Sequence, residues 1–319
     1  MVVGVVIGAS PAQANQYLYG VSVSNRLYSI NITTQKEQQF SLFVDPTAKL
    51  ANGVAVDPNR FNLFVMDGNN NLRIWRDGTD TLDIAATPKQ MGLDDNSFSG
   101  ANSNAQSAAF FDDAYWFFPR NSNVLNRINL DDNGKFISRL TYQFQGVPDG
   151  AGNQLFGDIA INPLDGRLYA ATSILNSKDI TRSTGNFYSL NLSKLPAEDS
   201  TFERKDPRYT AICSRCVPGN LQLGYDADKK VLYGVSNITD KWYTVNTALA
   251  KNSSPATHVP GWTSSLDFFD LSDVALTREI STSAPLPVPG PLPLLGAAAA
   301  FGWGRKLRRR IVASQSQAG

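Results

Sequence analysis

Short apolar segments separated by polar turns follow one another along most of this chain in a repeating order. Residues 53–78, 158–172 and 221–237 each contain an alternating strand, a polar turn and a second strand, and the turns are DPNRFN, NPLDGR and DADKK. Turns rich in Asp, Asn, Pro and Gly are typical of hairpins. A third strand follows each unit as NLRIW, NFYSLNL or KWYTVN. A weaker fourth strand is expected within 81–87, 202–212 and 256–262.

Residues 107–144 repeat this order with a tighter first turn, FDDAY, and their four strands are the easiest to recognise. All these strands are short and rich in Val, Ile, Phe, Tyr and Trp, which favour β-structure. We find no long stretch with the 3.6-residue apolar period of an amphipathic helix. The pattern therefore predicts an all-β chain.

The length of the repeat indicates which all-β fold to expect. Each second strand carries an aromatic residue, and these are Tyr19, Phe64, Phe117, Tyr169 and Tyr233. Neighbouring aromatics are 45 to 64 residues apart, a spacing that suits four-stranded β-propeller blades with variable loops. Residues 174–186 and 192–220 are interpreted as insertions that lengthen the fourth unit.

The two ends of the repeat region complete one another. Residues 17–43 begin at a second strand, because YLYGVS closely matches VLYGVS at 231–236, and their own first strand is missing. The segment LSDVALTRE (271–279) matches the first-strand pattern but has no second strand after it. A blade shared by both ends removes exposed sheet edges. We therefore predict five four-stranded blades over 15–280. A β-sandwich or six irregular blades are the alternatives.

Composition excludes several classes of function. Five of the 29 Lys and Arg residues lie at 305–310, so the body carries 24 basic residues against 28 Asp and Glu. A body with a net negative charge has no basic surface for nucleic acid. One His, two Cys and three Met leave little scope for transition-metal chemistry, and no cofactor is expected.

The first 14 residues have the features of a secretory signal peptide. Met1 to Ala9 is apolar and small, and Ala12-Gln13-Ala14 is a small-x-small cleavage pattern, although no basic residue precedes it. Cleavage after Ala14 would leave Asn15 as the mature N-terminus. The alternative is a buried first strand, VVGVVIG.

The C-terminal residues 281–319 combine three segments in a fixed order. VPGP (288–291) comes first and LPLLGAAAAFGWG follows; the third segment is a basic cluster of Arg305, Lys306, Arg308, Arg309 and Arg310. This order is similar to the C-terminal sorting tail of PEP-CTERM proteins. The resemblance implies recognition by exosortase, a membrane transpeptidase-like enzyme of Gram-negative bacteria and cyanobacteria.

Mapped onto that family's tetrapeptide, Val288, Pro289 and Pro291 take the recognition positions, and Gly290 stands where the family has Glu. The resemblance implies an extracytoplasmic protein that is secreted or held at the cell surface. A basic cluster after an apolar run stays cytoplasmic, which agrees with this orientation. The unbroken apolar run 294–303 is shorter than the ~20 residues of a free-standing span, so we expect a disordered or short-helical tail with transient membrane contact. A disordered basic tail without a sorting role is the alternative.

The cysteines Cys213 and Cys216 form a C-x-x-C pair, and in an exported protein the default expectation is a disulfide. Redox C-x-x-C motifs stand at a helix N-terminus beside a βαβ unit, whereas this pair lies in a β-rich chain. Redox activity and free or metal-bound thiols remain the alternatives.

Candidate catalytic groups are few. A Ser-His-Asp triad would have to use His258, which we expect at the surface of an outer strand, and no G-x-S-x-G motif is present. Glycoside hydrolysis needs two acids that flank a sugar bond. The acids expected near blade starts, where they could face the propeller axis, are Asp112, Asp113, Asp158, Asp226 and Asp273.

Two further patterns have a structural interpretation beside a functional one. The segments 67–71 and 131–134 resemble Ca²⁺ loops, but both lack the full ligand series and fit hairpin turns better. No metal site is therefore assigned. Trp75, Tyr115 and Trp116 could stack on sugars, although their alternation within strands favours the core.

The repeated strand, turn, LYG or LYA, strand pattern also resembles bacterial extracytoplasmic propellers that lack a catalytic assignment. We therefore expect an exported, surface-sorted propeller with a binding or structural role, whose partner is a polysaccharide or a surface protein. An extracytoplasmic hydrolase or lyase that uses axial carboxylates is the alternative. Carboxylates that converge in one pocket on the axis would favour the enzyme.

Overall fold

The computed structural model describes residues 15–43, 51–93, 105–119, 122–144, 154–203, 206, 208–248, 255–266 and 268–281. These residues form β-strands joined by turns, with two short 3-10 helices at Ile180–Arg182 and Leu192–Lys194. The strands are β1 (Tyr17–Ser22), β2 (Arg26–Asn31), β3 (Lys36–Phe43), β4 (Asn52–Asp57), β5 (Asn62–Met66), β6 (Leu72–Trp75), β7 (Leu82–Ala86), β8 (Ala105–Phe111), β9 (Ala114–Pro119), β10 (Val124–Leu130), β11 (Phe136–Phe144), β12 (Gln154–Asn162), β13 (Arg167–Ile174), β14 (Thr184–Asn191), β15 (Ser200–Phe202), β16 (Tyr209–Pro218), β17 (Leu221–Asp226), β18 (Val231–Ser236), β19 (Lys241–Val245), β20 (Ala256–Thr263) and β21 (Phe268–Leu271).

The strands form five sheets, which are the blades of a five-bladed β-propeller. Blade one has the order β21-β1-β2-β3, blade two β4-β5-β6-β7 and blade three β8-β9-β10-β11. Blade four is β12-β13-β14-β16, and blade five is β17-β18-β19-β20. Each predicted aromatic marker lies on the second strand of its blade. The predictions of an all-β chain, of five blades and of one blade shared by both ends are therefore confirmed.

The closing strand β21 pairs antiparallel with β1, with Gly20 opposite Leu271 and Val21 opposite Asp270. The ladder extends past a break, because Tyr17 and Leu276 exchange two backbone hydrogen bonds of 2.8 Å. The repeat alignment placed this first strand at 271–279, which is wrong in its start. The strand runs from Phe268 to Leu271. After it, residues 273–275 leave β1 and bond to Tyr225 of blade five.

Gly20 is required by the closeness of this pairing. A Cβ atom at Gly20 would lie 2.6 Å from a ring carbon of Phe268 and 3.0 Å from a methyl carbon of Leu271. Both of these side chains are fully buried. The glycine therefore lets the large apolar residues of β21 lie directly on β1.

Both faces of every blade pack against a neighbouring blade, which explains why strands such as AYWFFP are apolar at successive positions. In β9, Tyr115 and Phe117 pack towards blade two, whereas Trp116 and Phe118 pack towards blade four. Alternate residues of a strand point to opposite faces. Five such apolar clusters of buried residues fill the spaces between successive blades.

The insertions of the fourth unit differ from the prediction. The stretch 192–220 includes β16, the fourth strand of blade four, so the inserted part ends before Tyr209. Within it, β15 pairs parallel with β11 and adds a fifth strand to the outer edge of blade three. The guanidinium of Arg208 lies 4.2 Å from the centroid of the Phe202 ring and covers it. The stretch 174–186 contains the first 3-10 helix, but its last residues already belong to β14.

The expected signal peptide with Ala12 and Ala14, the tetrapeptide 288–291 and the basic cluster 305–310 all lie outside the described residues. In the part that the structure describes, no helix has the length and apolarity needed to span a membrane.

Candidate functional site

The inner edge of each blade faces the propeller axis. These inner strands are β4, β8, β12, β17 and β21, and each follows its neighbour around the ring. An edge strand presents backbone N–H groups without a ladder partner on its open side, and buried N–H groups need acceptors. Three aspartates supply such acceptors on the axis, namely Asp158, Asp270 and Asp273.

Asp273 links the closing segment, residues 268–276, to two blades. Its Oδ1 accepts a hydrogen bond of 3.1 Å from the backbone N–H of Val56, and its Oδ2 accepts one of 2.8 Å from the N–H of Phe110. These two donors lie on β4 and β8. One carboxyl group therefore holds the inner strands of blades two and three to the C-terminal segment.

Asp270 and Asp158 connect the remaining blades. Asp270 Oδ2 accepts a hydrogen bond of 2.5 Å from the N–H of Val54, on β4. Asp158 Oδ2 accepts one of 2.6 Å from the N–H of Leu223, on β17, and its Oδ1 accepts one of 2.7 Å from the N–H of Ile159. The carboxyl groups of Asp158 and Asp270 lie within hydrogen-bonding distance of each other.

These three groups, called the axial cluster below, have no exposed surface. Burial, which disfavours the charged form, raises the pKa of Asp273 to about 8 despite the backbone donors that lower it. Burial likewise raises the pKa values of Asp158 and Asp270. At Asp270 the neighbouring Asp158 carboxyl group adds to this increase. The axial cluster therefore retains protons near neutral pH.

Tyr115 is a further buried titratable group near the axial cluster. Its hydroxyl donates a hydrogen bond of 2.7 Å to the backbone carbonyl of Gly53. Burial and the three nearby carboxyl groups raise the pKa of Tyr115 well above its ordinary value. This tyrosine is neutral and serves as a hydrogen-bond donor within the core.

The predicted axial acids divide into two groups. Asp158 and Asp273 lie on the axis as expected, but Asp112, Asp113 and Asp226 lie in or beside the hairpin turns that follow the inner strands. Asp112 and Asp113 bond to Arg127 and Arg60 at 2.9 Å and 2.7 Å. Asp226 accepts from the backbone N–H groups of the two residues at 228 and 229. These three therefore do not face the axis: Asp226 is held by the amides of its own turn, as expected for a turn aspartate, and Asp112 and Asp113 are held by ion pairs.

The sequence pattern does not predict the axial position of Asp270. The repeat matches the closing strand only from Leu271, and Asp270 precedes that match. The signal was present in the sequence FFDLSD, where two acids stand three residues apart in a first-strand segment. Both carboxyl groups enter the axis because the strand bends between them and changes partner.

The chemistry available to the axial cluster is limited by its burial. Hydrolysis by two carboxyl groups requires both to reach a bound substrate. Each axial carboxyl group is instead enclosed and accepts backbone N–H groups. Among the described residues, no group of three or more His, Cys, Asp or Glu side chains is arranged to hold a metal ion. The arrangement therefore organises the strands of the ring.

The other candidate residues have structural positions. Trp75, Tyr115 and Trp116 are buried in the clusters between blades, as the core interpretation expects. Asp67 accepts from the backbone N–H groups of its own turn and from Arg73, as in a hairpin turn. Asp131 closes the 131–134 turn in the same way. His258 lies exposed on β20, the outer strand of blade five.

Cys213 and Cys216 form a disulfide, with Cα atoms 5.9 Å apart. The pair lies in a bulged part of β16, the outermost strand of blade four. Asn186 Oδ1 accepts hydrogen bonds from the hydroxyl of Ser214 and from the backbone N–H of Arg215, at 3.0 Å and 2.8 Å. The disulfide loop is therefore held against β14 at the outer edge of the blade.

Comparison with known proteins assigns this chain to no family. No protein-family model matches the sequence, and no curated protein sequence matches it. A solved structure described as "Crystal structure of Nidogen/Laminin Complex" is similar to this chain, with a TM-score of 0.43 and 11% sequence identity over 76% of each chain. A likeness at this level carries no argument about function.

Proposed function

We propose that this chain is an exported, surface-sorted β-propeller with a binding or structural role at the cell envelope or in the extracellular matrix. Its partner would be a polysaccharide or another surface protein, and its C-terminal tail would be recognised by exosortase. The observation that carries the binding or structural role is the state of the axial cluster. Its three carboxyl groups are fully buried and hold the ring together, so they are not presented to a substrate.

The proposed location rests on two features. The disulfide between Cys213 and Cys216 fits an oxidising compartment, where such bonds persist. The tail supplies the second feature, since the order of VPGP, apolar run and basic cluster resembles that of a PEP-CTERM sorting tail. Export would begin with cleavage after Ala14, and sorting would end with processing near 288–291.

The test is intact-mass analysis of the full chain produced in a bacterium that contains exosortase. The expected mature chain starts at Asn15, lacks the residues beyond the tetrapeptide, and is two hydrogens lighter than the dithiol form. A matched variant carries Pro289→Ala and Pro291→Ala and is expected to keep its tail. If the wild-type chain keeps its tail as the variant does, exosortase sorting is refuted.

An extracytoplasmic hydrolase or lyase is the second candidate, because three carboxyl groups with raised pKa values do converge on the axis. Their burial argues against it. Release of sugars from envelope polysaccharides by the wild-type protein, with loss of that activity in Asp273→Asn at equal folded yield, would establish the enzyme. We expect no such release from either protein.

A further inference from the structure

The closing segment supplies two of the three acids of the axial cluster. Asp270 belongs to β21 and Asp273 follows it, whereas Asp158 reaches the axis from β12. Through Val54 and Val56 the two acids of the closing segment hold β4 of blade two. Beside the backbone pairing with β1, titratable groups therefore tie the closing segment into the ring.

The Asp158–Asp270 pair requires a proton. Asp270 Oδ1 is buried and no group among the described residues donates a hydrogen bond to it. The neighbouring carboxyl group of Asp158 lies at hydrogen-bonding distance. Two ionised carboxylates at this distance repel one another, and a proton shared between them converts the repulsion into a hydrogen bond.

The groups around the pair do not include a compensating cation. Asp273 faces the pair from the closing segment and Tyr115 faces it from β9. The strands β4, β8 and β17 contribute backbone N–H groups. No hydrogen bond or ion pair within the described ranges joins the axial cluster to a Lys, Arg or His. Protons are thus the positive charges that balance these buried acids.

We propose that Asp158, Asp270 and Asp273 form a pH-sensitive latch, in which retained protons keep the closing segment 268–276 in the ring. Loss of these protons as the pH rises places like charges side by side among buried groups. The segment that carries two of the three charges then separates from β1 and β4 before the other blades lose their packing. The ring opens at the blade that both ends of the chain share.

The direction of the pH effect follows from proton binding. The unfolded chain loses these protons near the ordinary Asp pKa of about 3.9, whereas the folded chain keeps them to higher pH. The stabilisation is therefore complete below about pH 4 and is lost as the pH rises towards about 8, where Asp273 ionises. Within that window the unfolding equilibrium constant rises about tenfold per pH unit for each retained proton.

The experiment compares urea unfolding of the wild-type full chain and of Asp270→Asn between pH 5 and pH 9. The Asn amide resembles the protonated acid and can donate to Asp158. In the variant, the rise of the unfolding equilibrium constant with pH is therefore expected to be smaller by about a factor of ten per pH unit. Asp226→Asn is the matched control, because Asp226, the last residue of β17, is equally buried but its carboxyl group accepts from its own turn. The control is expected to retain the alkaline loss. A His258→Gln background removes the single histidine of the sequence from the titration.

Hydrogen exchange of the wild-type chain provides a second measurement that does not depend on the variant folding. After correction for intrinsic exchange rates, amides in 17–22 and 268–276 are expected to lose protection between pH 6 and pH 9 before those of β9 and β13. The latch is overturned if wild-type stability is constant or rises over this range. It is equally overturned if Asp270→Asn keeps the full dependence, or if protection is lost evenly around the ring.

Discussion

Replacement of Phe268 by Ala tests how strongly the closing strand is held. The Phe268 ring is fully buried, lies edge-on to Tyr28 with centroids 6.0 Å apart, and covers Gly20. Truncation of a buried Phe costs about 3–5 kcal/mol, as lost transfer free energy plus the cavity that remains. That cost corresponds to roughly a hundredfold to several thousandfold increase in the opening equilibrium constant, at tenfold per 1.4 kcal/mol.

The assay combines urea unfolding with hydrogen exchange. Phe187→Ala is the matched control, because Phe187 is also fully buried but lies on β14 of blade four. Both variants are expected to lower the urea midpoint. In Phe268→Ala, amide protection at 17–22 is expected to fall furthest, whereas in Phe187→Ala these amides keep protection close to the new global value. Wild-type protection at 17–22 in Phe268→Ala would refute the argument that this ring holds the closure.

The contact between Gly20 and Phe268 can be tested by combining substitutions at both positions. Gly20→Ala places a methyl group against the Phe268 ring and is expected to cost about 1–3 kcal/mol by overpacking. In the Phe268→Ala background the obstructing ring is gone, so the same substitution should cost clearly less. A double-mutant cycle measures the difference, and a coupling energy near zero would show that the two residues do not meet.

Three smaller effects are expected elsewhere in the ring. Tyr115→Phe leaves the Gly53 carbonyl without its donor and should lower the unfolding free energy by about 1–2 kcal/mol in urea titrations, and an unchanged midpoint would contradict that bond. Reduction of the Cys213–Cys216 disulfide should cost at most about 2 kcal/mol because the loop is short, and a complete loss of folding on adding reductant would show a larger role. Arg278→Ala removes the ion pair to Asp77 and should cost less than about 1 kcal/mol, with more of the effect at low salt; a larger, salt-independent loss would contradict this.

The blade repeat could be predicted from the sequence because its determinants are local. Strand alternation, turn residues and the second-strand aromatics are all set within a few residues of one another, and the structure places Phe64, Phe117 and Tyr233 as the spacing predicts. The shared blade was also predictable, since the fragments at the two ends lack complementary strands. An incomplete repeat at each end is itself a signal of closure.

The features that the sequence did not predict depend on contacts between distant segments. The fifth strand β15 pairs parallel with β11 of another blade, a partner that its three residues cannot specify alone. The pattern does not separate the axial Asp270 from Asp112, Asp113 and Asp226, because the same residue type serves axial amides, ion pairs and turn amides. Only the path of the inner strands decides which amides each carboxyl group meets.

A disulfide trap across the shared blade reports directly on whether the ring is closed. In a Cys213→Ser and Cys216→Ser background, Tyr17→Cys is combined with Leu276→Cys, since these residues exchange backbone hydrogen bonds and such pairs have Cα atoms about 5.5 Å apart. Tyr17→Cys with Asn31→Cys, its partner on β2, is the positive control. Peptide mapping by mass spectrometry is predicted to find both cross-links in the folded chain. A cross-link to position 31 without one to position 276 would contradict closure of the ring by the two ends of the chain.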